Sequence, residues 1–355
     1  MGVLNPTPTI RGDLMTTRLT GLLCLAIVGA LGGTRAEAAP IEKPRVQIAV
    51  GSKVGLFFLP TMVAEHLGYY KDEGLDVEIV DLGSGGKALQ ALVGRSVDVT
   101  SGAYDHTVQL AAKNIDLQAF VLQASLADYA VGIVKKKAAS YRSPKDLKGM
   151  RVGISSPGAG SDMFLKLVLA KAGINPDDVS VINVGLSSGA VAAVRKGELD
   201  AIANNDPVMT VLEESGEVKI IADARTHEGS KAYYGGDYPT AAFFAHADFI
   251  RKNPNTVQAL TNAVVRALKW MRKATPEQVM AALPPEFAGG DPAMYKKILA
   301  KLLPTYSPDG LFPANSGEIA YAALAHFVPT VREAKIDLAK TFDNRFVEKA
   351  LAKYK

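Results

Sequence analysis

Lys148-Gly149-Met150-Arg151-Val152-Gly153-Ile154-Ser155-Ser156-Pro157-Gly158-Ala159-Gly160-Ser161-Asp162-Met163-Phe164-Leu165-Lys166-Leu167-Val168-Leu169-Ala170 is the stretch whose reading decides the fold. A short apolar strand runs into small or turn-forming residues, Ser155 to Ser161, which open directly onto a helix with apolar positions three and four apart. The first turn of such a helix leaves backbone N–H groups without partners and carries partial positive charge. Glycine and serine let a ligand approach those groups, which suits a carboxylate, sulfonate, phosphate or carbonyl oxygen. Taken alone, the same pattern is an ordinary strand-to-helix turn with Ser161 or Asp162 as its cap.

The pattern occurs twice. In the first half, strands are predicted at Val46–Val50, Gly74–Val80 and Val97–Thr100, each followed by a loop of small residues: 51–55, Gly83-Ser84-Gly85-Gly86, and 101–105. The second half repeats this with strands at Met150–Ile154, Val179–Val184 and Leu199–Ile202 and loops at 155–161, 185–189 and 203–207. Landmarks keep nearly constant offsets: 99 residues from Gly74 to Gly173, 103 from Gly86 to Gly189, and 102 from Asp98 to Asp200. Two tandem βαβαβ units follow, each expected to form a parallel sheet with helices on both faces. Ligands of such sheets bind beyond the carboxyl ends of the strands. Facing units would therefore line one cleft with three loops each.

Crossovers between the units are expected near Ser125–Tyr129 and along Tyr233–Thr240. The remainder reads as helices, at 254–273, from a Thr275 cap with Pro276 behind it, and from Ser316 and Asp343.

With 355 residues, 48% hydrophobic and 21% charged, the chain has the composition of an ordinary globular protein with material for two domains. A net charge of +4 and no dense Lys/Arg patch argue against nucleic acid. Arg18 precedes the apolar run Leu19–Leu31 and the small-x-small site Ala36-Glu37-Ala38, the layout of a secretory signal peptide over residues 1–38, cut after Ala38. That run is short for a membrane span. Cys24 is the sole cysteine and falls within this leader, so the exported chain would have neither disulfides nor cysteine chemistry.

Further residues carry a family resemblance: Phe58-Leu59-Pro60, Gly68-Tyr69-Tyr70-Lys71-Asp72-Glu73-Gly74-Leu75-Asp76-Val77, Gly83 to Gly86, and Ser143-Pro144-Lys145-Asp146-Leu147-Lys148-Gly149 with Met150 to Gly153. Gly197-Glu198-Leu199-Asp200-Ala201, Asp206-Pro207 and Tyr238-Pro239-Thr240 complete it. Over about residues 45–275, and more loosely to Lys355, the chain resembles the ABC-importer solute-binding proteins that serve nitrate, sulfonates, taurine and thiamine-precursor pyrimidines. The resemblance implies an α/β periplasmic binding protein of type II. Two doubly wound lobes (45–127 with 240–355, and 128–239) would be joined by two crossovers, with C-terminal helices on lobe one. It also implies a monomeric, periplasmic protein that hands a small solute to a membrane permease, with no cofactor.

Candidate ligand residues from the loops are Ser52, Ser84, Gly85, Gly86, Gly158, Gly160, Ser161 and Ser188 as backbone or hydroxyl donors, with Ser125 at the crossover. Phe57, Tyr104, Tyr129 and Tyr238 are candidates to stack on or wall the ligand, and Asp105, Asn205 and Asp206 to accept from a donor end. No arginine lies in the six loops, so no Arg clamp on a dianion is expected. Competing readings are a serine hydrolase using the G-x-S-x-G of Gly185 to Gly189, and a periplasmic sensor on the same fold. The five histidines lack metal-site spacing. Thiamine-pyrimidine synthases related to this family carry a cysteine-rich motif that this chain lacks.

Overall fold

The computed structural model describes residues 40–355; the expected leader lies outside the described residues. In chain order the first half gives β1 (Arg45–Val50), α1 (Leu59–His66), α2 (Tyr69–Asp72), β2 (Asp76–Asp81), α3 (Gly85–Val93), β3 (Val99–Ala103), α4 (Asp105–Ala111) and β4 (Leu117–Leu122). There follow β5 (Tyr129–Val134), α5 (Lys135–Ala138), β6 (Arg151–Ile154), α6 (Gly160–Lys171), β7 (Ser180–Asn183), α7 (Ser188–Arg195), β8 (Ala201–Asn205), α8 (Val208–Glu214), β9 (Val218–Asp223) and α9 (His227–Tyr234). The chain ends with β10 (Ala241–His246), α10 (Ala247–Lys252), α11 (Pro254–Met271), α12 (Pro276–Ala281), α13 (Pro292–Leu302), α14 (Ser316–Ala325), α15 (Pro329–Glu333) and α16 (Arg345–Lys353).

These strands form two five-stranded sheets, ordered β2-β1-β3-β10-β4 and β7-β6-β8-β5-β9. Each is the core of one lobe. The tandem repeat is visible in the pairings: β1 lies between β2 and β3 in parallel, and β6 lies between β7 and β8 in the same way. Gly74 and Gly173, matched in the repeat, both close a helical turn with φ near +79° and +72° before the next strand, a conformation in which a side chain is strained.

The expectation of purely parallel sheets is corrected. Strand β10 runs antiparallel to β3 and β4, and β5 runs antiparallel to β8 and β9. Both begin at a crossover, at the end of the sheet where the repeat strands finish, so they traverse the sheet the opposite way. Pairing with these two strands also carries β3 to Ala103 and β8 to Asn205, through residues that read as loops. Helices α3, α6 and α7 likewise begin earlier than expected and take Gly85 and Gly86, Gly160, and Ser188 into their first turns.

The predicted cap at Thr275 forms, as a full capping box with Gln278. Helix α11 packs on α1, α2 and β4, and α16 packs on α11 and β4, so the long C-terminal helices cover the first sheet. Two later helices reach further. Helix α14 touches α4 of the first lobe and also α6 and α9 of the second, while Lys297 and Lys301 on α13 pair with Glu214 on α8. One apolar core runs from the first sheet through Phe57, Tyr129 and Tyr238 into α6 of the second lobe, and a smaller one lies under α7 and α8. Among the described residues no helix is long and apolar enough to cross a membrane.

Candidate functional site

The two small-residue turns meet. A Cβ placed on Gly86 would lie 2.8 Å from the Pro157 carbonyl oxygen and 2.9 Å from Ser156 Oγ, and one on Gly85 would lie 4.0 Å from Ala159 Cβ. The start of α3 in one lobe thus faces the turn before α6 in the other. Only residues without bulk permit that approach.

Beside this contact is a cavity of about 30 Å³ whose wall is drawn from both lobes. Phe57, Phe58, Gly85 and His106 come from the first; Tyr129, Gly160, Asn205 and Asp206 come from the second. Ser84 caps α3 by accepting from the Lys87 amide, and Ala159 provides no side-chain cap to α6. The Gly85 and Gly86 amides of α3, and the Gly160 and Ser161 amides of α6, therefore remain for a ligand. Tyr129 crowds the start of α6, because a Cβ on Gly160 would lie 2.0 Å from its hydroxyl oxygen. That hydroxyl also pairs with Thr240 Oγ1 at 3.3 Å, so the ring is tied to the second crossover.

Asp206 shows how the polar side of the cavity is held. It accepts from the Thr210 amide at 2.7 Å and sits 3.5 Å from the buried Arg225 guanidinium, which also pairs with Asp223 and Glu213. Burial pushes the Asp206 carboxyl up, against the pull of Arg225. Asn205 donates to Asp128 Oδ1 at 2.6 Å. Burial first, and the nearby Asp206 second, push Asp128 up to about 8, so this carboxyl is protonated at neutral pH. No lysine or arginine side chain lines the cavity among the described residues.

Of the candidates from sequence, Phe57, Gly85, Tyr129, Gly160, Asn205 and Asp206 are brought together on this wall. Gly86 sits at the contact between the lobes, and Gly158 alongside it offers its carbonyl to His106 across the cleft at 3.1 Å. Ser52 is buried with its carbonyl accepting from Gly55, and Ser161 is occupied by the amide and hydroxyl of Ser155. Tyr238 stacks on Tyr234 and donates to Asp105 Oδ2 at 2.9 Å, so these two candidates bond to each other, with Asp105 Oδ1 left buried and unpaired. None of these lines the cavity, and neither do the remaining three. Tyr104 turns away to Thr341 Oγ1 at 2.6 Å among Phe312 and Phe342, because a helical backbone at 104 swings its ring under the C-terminal segment. The Ser125 amide pairs with Thr305, and Ser188 is exposed on α7.

Sequence reading missed His106 and Phe58. His106 stands one residue past the polar loop 101–105, and its only signal was a place beyond a strand end. The hydrolase reading finds no support at Ser187, whose backbone is extended (φ −132°, ψ −162°) rather than strained. His106, His227 and His246 are engaged with Gly158, Asp237 and Leu92 instead.

Two facing helix starts over a shared cavity, on two α/β lobes joined by two crossovers, are the features to compare with known proteins. The NMT1/THI5-like family pattern matches residues 57–279. The chain belongs to the NMT1/THI5-like family. A solved structure of a protein from Bordetella bronchiseptica RB50 is 46% identical, with a TM-score of 0.87 over 89% of this chain and 99% of that one. The alkanesulfonate-binding protein SsuA from Xanthomonas axonopodis pv. citri, solved with MOPS, is 20% identical with a TM-score of 0.69, covering 86% of this chain and all of SsuA (100%). Similarity at that identity shows the fold alone, which is the α/β periplasmic binding protein fold expected from the sequence.

Two relatives by sequence bracket what this NMT1/THI5-like chain resembles. The nitrate/nitrite binding protein NrtA of Nostoc sp. is 25% identical over 288 residues, 72% of this chain and 63% of NrtA. A 4-amino-5-hydroxymethyl-2-methylpyrimidine phosphate synthase of Schizosaccharomyces pombe is 25% identical over 228 residues, 61% of this chain and 62% of the synthase. The chain spans less than two thirds of either relative. The relatives of this chain therefore include both binding proteins and synthases.

Proposed function

We propose that this chain is the periplasmic solute-binding component of an ABC importer. It captures a small organic solute by closing two lobes on it and presents the closed form to a membrane permease. In this reading residues 1–38 are the export leader, 45–127 with 240–355 form one lobe, 128–239 form the other, and the protein acts as a monomer. The observation that carries the reading is the approach of α3 and α6 from opposite lobes, with uncapped amides at a cavity that both lobes build. The similarity to NrtA, a nitrate/nitrite binding protein, and to SsuA, an alkanesulfonate-binding protein, supports it.

The cavity between the lobes, about 30 Å³, is small for an organic solute. Entry of a larger solute requires the lobes to part and to reclose around it. The ligand residues proposed are the six candidates on the wall together with Gly86 and Gly158 at the lobe contact. With no basic side chain on the wall, a monoanion or a carbonyl end at the helix starts fits better than a dianion.

Native mass spectrometry of the purified protein, followed by thermal-shift screening of sulfonates, nitrate, amino-sulfonates, pyrimidines and small organic acids, tests the proposal. A true solute at 100 times its Kd stabilises the fold by about 2.7 kcal/mol. Turnover of a candidate, abolished by Ser187→Ala, would instead establish the hydrolase.

A further inference from the structure

His106 is a buried histidine, 1% exposed, that touches both lobes and the cavity between them. Its ring stands edge-on to Phe244 in the first lobe, with Nε2 3.1 Å from the Gly158 carbonyl oxygen of the second. A carbonyl oxygen only accepts, so Nε2 carries the proton. The neutral ring then has a bare lone pair on Nδ1, and Nδ1 is buried with no protein partner. A buried acceptor in that condition calls for a donor from elsewhere. No donor of the wall reaches it: Asn205 has turned its side-chain amide to Asp128, the Tyr129 hydroxyl is paired with Thr240, and the free amides at the helix starts make no bond to Nδ1.

Resting on the reading of the cleft as a solute site, we propose that His106 is a specificity-determining ligand residue. The captured solute presents an N–H or O–H donor to His106 Nδ1, while its acceptor end takes the free amides at the starts of α3 and α6. The class is a small hydroxy or amino compound with a carboxylate, sulfonate or amide end. The donor on Nδ1 also fixes the tautomer that lets Nε2–H bond to Gly158, so occupancy and closure of the cleft reinforce each other.

The test is calorimetric titration of protein stripped of solute by unfolding and refolding. It uses three pairs that differ mainly in a donor group: glycolate and acetate, taurine and ethanesulfonate, lactamide and propionamide. In at least one pair the donor-bearing member is expected to bind ten-fold or more tightly in the wild type. His106→Gln places an amide N–H near the Nε2 position and removes the Nδ1 acceptor, so it should keep closure but reduce the preference to within two-fold. The wild-type comparison stands even if the variant does not fold. The proposal is overturned if no pair shows the preference, or if His106→Gln retains it. A pool of small organic acids, amides and sulfonates, read by change in Tm, separates the two levels. A shift from the pool without any pair preference removes the role of His106 and leaves solute capture standing, whereas no shift from the pool removes both.

Discussion

At the residue scale, two positions control the cleft in different ways. Gly160 is small because Tyr129 takes its space: an added Cβ would lie 2.0 Å from the tyrosine oxygen and 2.4 Å from Cζ. Gly160→Ala therefore pushes Tyr129 off Thr240. Overpacking of this kind costs about 1–3 kcal/mol, and the affinity for the solute should fall at least ten-fold. Denaturant melts and titration calorimetry check both, and an unchanged affinity would show that this wall is not part of the site. Asp128 acts through its proton. The folded protein holds that proton up to about pH 8, against an ordinary value of 3.8. Its contribution to stability is thus full below about pH 4, declines by about 1.4 kcal/mol per pH unit across the window, and levels off above it. Asp128→Asn removes this slope, so thermal melts from pH 4 to pH 8 should show the variant gaining on the wild type as pH rises. A difference independent of pH would mean that Asp128 is ionised throughout.

At the scale of elements, the start of α3 separates closure from folding. Gly86 lies in the first turn of that helix with an ordinary φ, so alanine there is neutral or favourable for the helix itself, by up to about 1 kcal/mol. Its methyl group would meet the Pro157 carbonyl oxygen of the other lobe at 2.8 Å. Gly86→Ala should hence keep or raise Tm while weakening solute binding about ten-fold, measured on the same preparation; loss of Tm with affinity intact would reverse the assignment. The repeat was legible from the matched glycines and acids at Gly74 and Gly173 or Asp98 and Asp200, while the starts of α3, α6 and α7 fall two residues earlier than the sequence suggested. Strand direction was not, since a buried strand has the same apolar composition whichever way it runs, and only the crossovers make β5 and β10 antiparallel. The extensions of β3 and β8 were missed because Ser101-Gly102-Ala103 and Ala203-Asn204-Asn205 have the small and polar character of loops and are strands only through their partners. Tyr104 and His106 exchange the roles that sequence assigned to their neighbourhood, a matter of which way one helical turn faces.

At the scale of the molecule, an apolar seam runs between the lobes through Phe57, Tyr129 and Tyr238, and the proposed capture would be a hinge equilibrium that buries it in the closed state. A solute bound between the lobes favours the closed state to the extent that it touches both. The Lys297 and Lys301 pairs with Glu214 add a link from the C-terminal helices to the second lobe, and exposed pairs of this kind contribute little. Closure is thus left chiefly to the cleft itself. The most direct measurement is the distance between spin labels on Lys71→Cys in the first lobe and Lys196→Cys in the second, both exposed and introduced into a chain whose sole cysteine is Cys24. Pulsed dipolar spectroscopy on stripped protein should show a broad or longer distance that collapses to a single shorter one when a solute found by the thermal screen is added. A distribution that is identical with and without that solute would contradict capture by closure.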